Sequence, residues 1–171
     1  MHVRLAEPAD AEPIRRIYNA EVVGSTATFD LRPRSAEEQA TWMADHLGTY
    51  PVVVAEDDEG TVLGFGSLSS YRDRPSYATT VEDSVYVDAT RRGGGVGRAL
   101  LEELVRLGTR HGFHSMIARI GGDNAASIAL HESCGFGQVG VEREIGRKFN
   151  RWLDVVVLQR MLGGEGVDVD E

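Results

Sequence analysis

The segment Arg91-Arg92-Gly93-Gly94-Gly95-Val96-Gly97-Arg98 constrains this chain more than any other stretch. Each glycine inside a helix or strand costs roughly 0.5–1 kcal/mol relative to alanine, so a run of them marks a connection. Ahead of the run, Glu82 to Val87 reads as a strand rich in β-branched and aromatic residues. Behind it, Leu100, Leu101, Leu104, Val105 and Gly108 share one face of a helix that begins near Gly97 and ends at Gly112. A strand, a glycine loop and a helix in that order turn successive backbone amides toward a common point, and the helix N-terminus adds partial positive charge. Such a loop suits a phosphate or pyrophosphate. Arg91, Arg92 and Arg98 supply full charges beside it.

Those arginines stand out because the rest of the chain is acidic. Eighteen Lys and Arg against 27 Asp and Glu leave a net charge of −9 over 171 residues. That excludes a general binder of nucleic acid or of anionic membranes. Hydrophobic residues make up 42% and charged residues 26%, the make-up of one ordinary globular domain. We assign that domain to residues 1–162 and read 163–171, with Glu165, Asp168, Asp170 and Glu171 among glycines, as an acidic, solvated tail. No apolar run approaches the roughly 18 residues of a membrane span. An acid at Glu7 and no apolar core before it predict no secretion signal. Cys134, the single cysteine, excludes an internal disulfide and a multi-cysteine zinc site, and the expected location is the reducing cytoplasm.

The remaining elements follow from periodicity. Val3 to Leu5 is a short strand. Pro8 and Asp10 open a helix with Ile14, Ile17 and Tyr18 on one face. Val22 to Arg34 reads as a loop, and Ser35 and Glu38 form a capping box for a helix carrying Ala40, Met43 and Leu47. Val52 to Ala55 and Val62 to Ser69 flank an Asp57–Gly60 turn. Phe113 to Ile120 is a strand, Asn124 to Cys134 a helix stopped by Gly135, and Leu153 to Leu158 the last strand. The class is α/β, a mixed sheet with helices on its faces.

Among phosphate loops, a P-loop needs Gly-Lys-Ser/Thr, which is absent, and the dinucleotide pattern fails in both glycine registers. Arg92-x-x-Gly95-x-Gly97 fits Arg/Gln-x-x-Gly-x-Gly/Ala, and here the chain resembles the GNAT acetyltransferases, whose loop of this form holds the acetyl-CoA pyrophosphate. A second block supports the resemblance: Asn124-Ala125-Ala126-Ser127 through Gly135-Phe136, one helix and one strand beyond the loop. The resemblance spans roughly Val3 to Gln159. It implies a mostly antiparallel central sheet whose splayed central strands hold acetyl-CoA. Where many GNAT enzymes have tyrosine, this chain has His131, as does the phosphinothricin and methionine sulfone (sulfoximine) acetyltransferase branch. That branch is similar also at Ile17-Tyr18-Asn19, Ser25 to Phe29, Val81 to Val87 and Lys148 to Asp154. Asn150 in place of a usual glycine, and Tyr71 in place of a common tryptophan, are departures.

The resemblance implies a set of roles. Arg92, Gly93, Gly94, Gly95, Val96, Gly97 and Arg98 would hold the pyrophosphate. The backbone of Val85, Tyr86 and Val87 would pair with the pantetheine arm, and Asn124 would contact the cofactor. Glu82 is the candidate base, opening an otherwise apolar strand where low hydration raises a carboxyl pKa. Asp83 points to the opposite face and is not counted among the site residues. His131 is the candidate acid for the leaving thiolate, or a second base acting through water. Arg72 and Arg74, beside Tyr71 and Tyr77, could pair an acceptor carboxylate, and Thr28 and Phe29 could wall the pocket. Lys148 to Trp152 would reach a neighbouring subunit's site, since members of this branch are homodimers. The expected acceptor is a small amine of the amino acid analogue class, and no metal is expected. A polyamine, an aminoglycoside or a protein N-terminus remains an alternative acceptor, and a CoA-binding sensor without turnover an alternative class.

Overall fold

The structure, a computed structural model, describes residues 1–46 and 48–163; Leu47 and the predicted acidic tail beyond Gly163 lie outside the described residues. Strand β1 (His2–Leu5) leads through a 3-10 turn at Pro8–Asp10 into α1 (Ala11–Gly24). Then come α2 (Ala36–Asp45), β2 (Val52–Glu56), β3 (Val62–Ser70), β4 (Thr80–Val87), α3 (Val96–Arg110), β5 (Ser115–Gly121), α4 (Ala125–Ser133), β6 (Gly137–Lys148) and β7 (Arg151–Met161). The strands form one seven-stranded sheet in the order β1-β2-β3-β4-β5-β7-β6. Every pairing is antiparallel except β4 with β5.

The pleat divides the core in two. Val53, Ala55, Leu68, Val81, Ala118 and Leu158 face α3, where Leu100, Leu101 and Leu104 are fully buried. Val52, Val54, Val62 and Phe65 face the opposite way, onto Ile14, Ile17, Tyr18, Val22 and Met43 of α1 and α2. A period of two on the strands and of three to four on the helices generates both layers. Ser35 and Glu38 form the expected capping box: the Ser35 hydroxyl accepts from the Glu38 amide at 3.1 Å, and the Glu38 carboxylate from the Ser35 amide at 2.7 Å.

The parallel pair is short. Thr80, Val81 and Glu82 are in register with Ser115, Met116 and Ile117, and beyond Glu82 the two strands part. Each continues against its other neighbour: β4 pairs with β3 out to Val87, and β5 with β7 out to Gly121. The result is a cleft in mid-sheet.

Three sequence expectations change. Helix α1 runs to Gly24, so the connection to α2 starts at Ser25 rather than at Val22; Val22 is buried on the helix face. Strand β6 was not expected. It is an edge strand, exposed over most of its length, with register shifts between Gln138 and Gly140 and between Glu142 and Gly146. Glycines and charged residues on a solvated, bulged edge hide the period of two that marks a buried strand. The last strand is also longer than Leu153–Leu158, because its ends pair with that same edge.

Candidate functional site

The glycine loop leaves β4 through Asp88, whose carboxylate accepts from the Thr90 amide at 3.0 Å and the Thr90 hydroxyl at 2.7 Å. Gly93 and Gly95 both lie at φ +80, in the left-handed region, and Gly95 is the N-cap of α3. Gly97 serves differently. A Cβ there would stand 3.1 Å from Leu130, so the absence of a side chain lets α3 approach α4.

Beside the loop lies a cavity of about 570 Å³. Its walls are the α3 N-terminus, Val85 to Val87 of β4, and Asn124, Ala126, Ser127 and Leu130 of α4, with Ser25 to Ala27 opposite. Asn124 caps α4, its side-chain oxygen accepting from the Ser127 amide at 3.1 Å. The Arg92 guanidinium donates to the carboxylate of Glu21, which projects from α1 and is nearly buried. A second cavity of about 60 Å³ continues between the parted strands, lined by Asp83 to Tyr86, Ala118 to Gly121, Asn124, Ser127 and His131.

Strand β4 sends its two acids to opposite faces. Asp83 faces the α3–α4 layer and is buried; its Oδ2 stands 3.0 Å from His131 Nε2. His131 Nδ1 donates to the Ser127 carbonyl at 2.7 Å, and the Phe136 ring meets the imidazole edge-on at 5.1 Å. Burial alone would lower the His131 pKa. The Asp83 hydrogen bond and charge, with the Ser127 carbonyl, outweigh that and raise it.

Glu82 faces the α1–α2 layer. Burial pushes its carboxyl above the usual range; Arg119 pulls it back, while Asp83 and Glu142 push it further up. Arg119 itself donates to Glu142 across the β5 and β6 strands. Nearby, the Arg72 guanidinium lies 4.9 Å from the Tyr71 ring centre and 5.7 Å from that of Tyr77, with no carboxylate partner among the described residues. Tyr71 follows the end of β3, where Ser69 is in register with Glu82.

A family profile for the acetyltransferase (GNAT) domain matches residues 3–157. The chain belongs to the GNAT acetyltransferases. An L-methionine sulfoximine/L-methionine sulfone acetyltransferase of Salmonella typhimurium is 39% identical over 163 residues, covering 95% of each chain. A phosphinothricin N-acetyltransferase of Streptomyces coelicolor is 38% identical, covering 95% of this chain and 96% of its own. A crystal structure of a GNAT phosphinothricin acetyltransferase from Sinorhizobium meliloti in complex with acetyl-CoA superposes with a TM-score of 0.93 at 42% identity, over 99% of this chain and 91% of that one.

Within this GNAT fold, the residues named from sequence as cofactor contacts line the larger cavity, with Gly94 the exception. Thr28 and Phe29 line neither cavity. The Thr28 hydroxyl is within hydrogen-bond reach of Tyr18 at 2.9 Å, and Phe29 fills the space over Gly121 and Gly146. Tyr71, Arg72 and Tyr77 form one cluster; Arg74 stands apart, capping a 3-10 turn at Pro75–Tyr77. Four residues around the site are not singled out as site residues by the sequence. Glu21 and Arg119 are separated from the motifs by whole elements and carry no local signature. Asp83 turns away from Glu82, as strand alternation predicts, and toward His131. Lys148, read only as part of a block, is buried and donates to the Thr28 carbonyl at 2.8 Å, tying β6 to the loop after α1.

Proposed function

We propose that this GNAT protein transfers the acetyl group of acetyl-CoA directly to the primary amine of a small amino acid analogue of the phosphinothricin, methionine sulfone or methionine sulfoximine type, within a domain spanning residues 1–162. The observation that carries the reading is the parting of β4 from β5 beside a glycine-capped helix, with Glu82 on one face and His131 on the other. The names of the Salmonella and Streptomyces relatives support the acceptor class.

The Gly93–Arg98 segment offers backbone amides and the guanidinium groups of Arg92 and Arg98 to the pyrophosphate. Strand β4 stays paired with β3 out to Val87, so within Val85 to Val87 the alternate amides that point away from β3, those of Val85 and Val87, are freed where β5 turns away and are available to the pantetheine arm and to the thioester carbonyl. Glu82 takes a proton from the acceptor amine as nitrogen attacks, and its raised pKa suits that task. His131 supplies the proton that the departing thiolate needs. Arg72, presented by two tyrosine rings and without a carboxylate partner among the described residues, receives the acceptor carboxylate. The exposed Phe149 and Trp152, at the end of the β6–β7 hairpin, form part of a homodimer contact.

The test is thiol release from acetyl-CoA against a panel of amino acids, sulfones, sulfoximines and polyamines. The expected outcome is turnover of methionine sulfone and sulfoximine at least equal to that of phosphinothricin. A preference for spermidine or a peptide N-terminus of more than about tenfold in kcat/KM, roughly 1.4 kcal/mol, overturns the acceptor class and leaves acetyl transfer standing.

A further inference from the structure

Asp83 has no task in the function proposed above, yet it is the most enclosed acid of the site, its side chain 1% exposed. Its Oδ2 meets His131 Nε2, while its Oδ1 is buried with no hydrogen-bond partner among the described residues. The residue also lines the small cavity between the parted strands.

The hydrogen bonds fix the proton count of the pair, one on Nδ1 and one between Nε2 and Oδ2. A backbone carbonyl only accepts, so His131 Nδ1 carries hydrogen toward Ser127. An ionised Asp83 also only accepts, so Nε2 must then carry the second hydrogen, and the ring is an imidazolium. Among the described residues, Asp83 is the only charged side chain acting on His131. Arg119 also lines the small cavity, but strand alternation sets it and Glu82 on the face opposite Val81, Ala118 and Ile120; Ala118 and Ile120 of β5 and Phe136 after α4 are apolar, and Asn124 and Ser127 are neutral.

We propose that Asp83 is a positioning residue for acetyl transfer: it holds His131 doubly protonated at the wall of the cleft, so that a proton is in place before the carbon–sulfur bond breaks. This rests on the acetyl-transfer reading. In the step, nitrogen bonds to the carbonyl carbon and its proton goes to Glu82. The carbon–sulfur electron pair goes to sulfur, and the stored proton passes from the Nε2–Oδ2 bridge to that thiolate, giving free thiol and N-acetyl product. His131 is left neutral, and water returns the proton from Glu82 to the pair between turnovers. The raised His131 pKa agrees with a stored proton. Asparagine at position 83 would reverse the arrangement: its amide would donate to Nε2 and select the neutral Nδ1–H ring.

The experiment has two arms. Nitrogen-15 NMR of histidine-labelled wild type, without substrates, should find both His131 nitrogens protonated at pH 7. In Asp83→Asn the neutral tautomer should appear, with the titration moved down by about one unit or more. A neutral His131 in the wild type at pH 7 overturns the proposal, even if the variant does not fold. In the second arm, kcat for methionine sulfone is followed against pH at saturating acetyl-CoA. Its fall at high pH should begin about one unit earlier in Asp83→Asn and stay in place in Glu82→Gln. If Asp83→Asn shows a neutral His131 by NMR but an unmoved profile, the pair is structural and the proposal fails. If wild type acetylates no amine, the functional reading fails, while the NMR arm still reports on the pair.

Discussion

The two faces of β4 carry adjacent carboxylates in opposite circumstances. Glu82 has a charged neighbour in Arg119, but that arginine is committed to Glu142. Glu82 is therefore a carboxylate lifted by burial and left free to bind a proton. Asp83 lies deeper and is matched by His131. In the proposed mechanism, one step along the pleat thus converts the same chemical group from a proton acceptor into the counter-ion of a proton store. Burial by itself does not assign a role to an acid; its partner does.

The sharpest way to break this contrast is Glu82→Gln. Glutamine keeps the shape and loses the base, so kcat should fall by about 10²–10⁴-fold, with the KM for acetyl-CoA unchanged. The base works deprotonated and its pKa is raised, so wild-type kcat should climb with pH through a range above that of an ordinary glutamate. That limb should vanish in the variant. Equal rates and equal profiles would mean that the amine arrives neutral and that Glu82 only fills space.

Arg92→Ala tests the cofactor end. A charge-assisted contact is worth about 1.5–3 kcal/mol, which predicts a roughly 10- to 150-fold rise in KM for acetyl-CoA. Arg92 also neutralises Glu21, whose nearly buried carboxylate lines the same cavity. Part of the loss should therefore be repulsion from Glu21, and adding Glu21→Gln to Arg92→Ala should recover some affinity in isothermal titration. No recovery would leave Glu21 without influence on the anion.

The contrast also explains what the sequence could reveal. The glycine loop, its helix and the Asn124 cap are local: a few adjacent residues dictate both conformation and chemistry, so a linear reading reaches them. His131 and Glu82 came from motif position. The pairings Asp83–His131, Arg92–Glu21 and Arg119–Glu142 join residues 48, 71 and 23 positions apart, and no spacing rule connects them. The acceptor side was the least legible. There Thr28 is tied to Tyr18, Phe29 lies over Gly121 and Gly146 while staying partly exposed, and edge strand β6 is hidden by its solvated, glycine-containing pattern.

A smaller effect belongs to Arg72, on the Glu82 side. It is exposed and stacked, so solvent screens what it offers. Arg72→Ala should raise the KM for methionine sulfone by about three- to tenfold and leave a carboxylate-free amine unaffected. Arg74→Ala, outside the aromatic cluster, should change neither. If Arg74→Ala has the larger effect, the carboxylate is held elsewhere than between Tyr71 and Tyr77.

The smallest expected effect lies in the β6–β7 turn. Lys148 pairs with Arg151, so only Phe149 and Asn150 make the turn, at φ +49 and +58. Two left-handed residues suit the twist of a hairpin, and Asn-Gly is the favoured pair. At position 150 asparagine tolerates the conformation that glycine would take freely, which accounts for that departure from the branch pattern. Phe149 has no such excuse. A bulky L residue in this region costs roughly 1–2 kcal/mol, and its ring is more than half exposed. Phe149→Asn should therefore stabilise the chain by about 1 kcal/mol in thermal unfolding at low protein concentration. If Phe149 is kept for contact with a second copy, the same variant should weaken self-association in sedimentation velocity. A gain in stability with unchanged association would remove Phe149 from the dimer contact and leave Trp152 as the residue to test next.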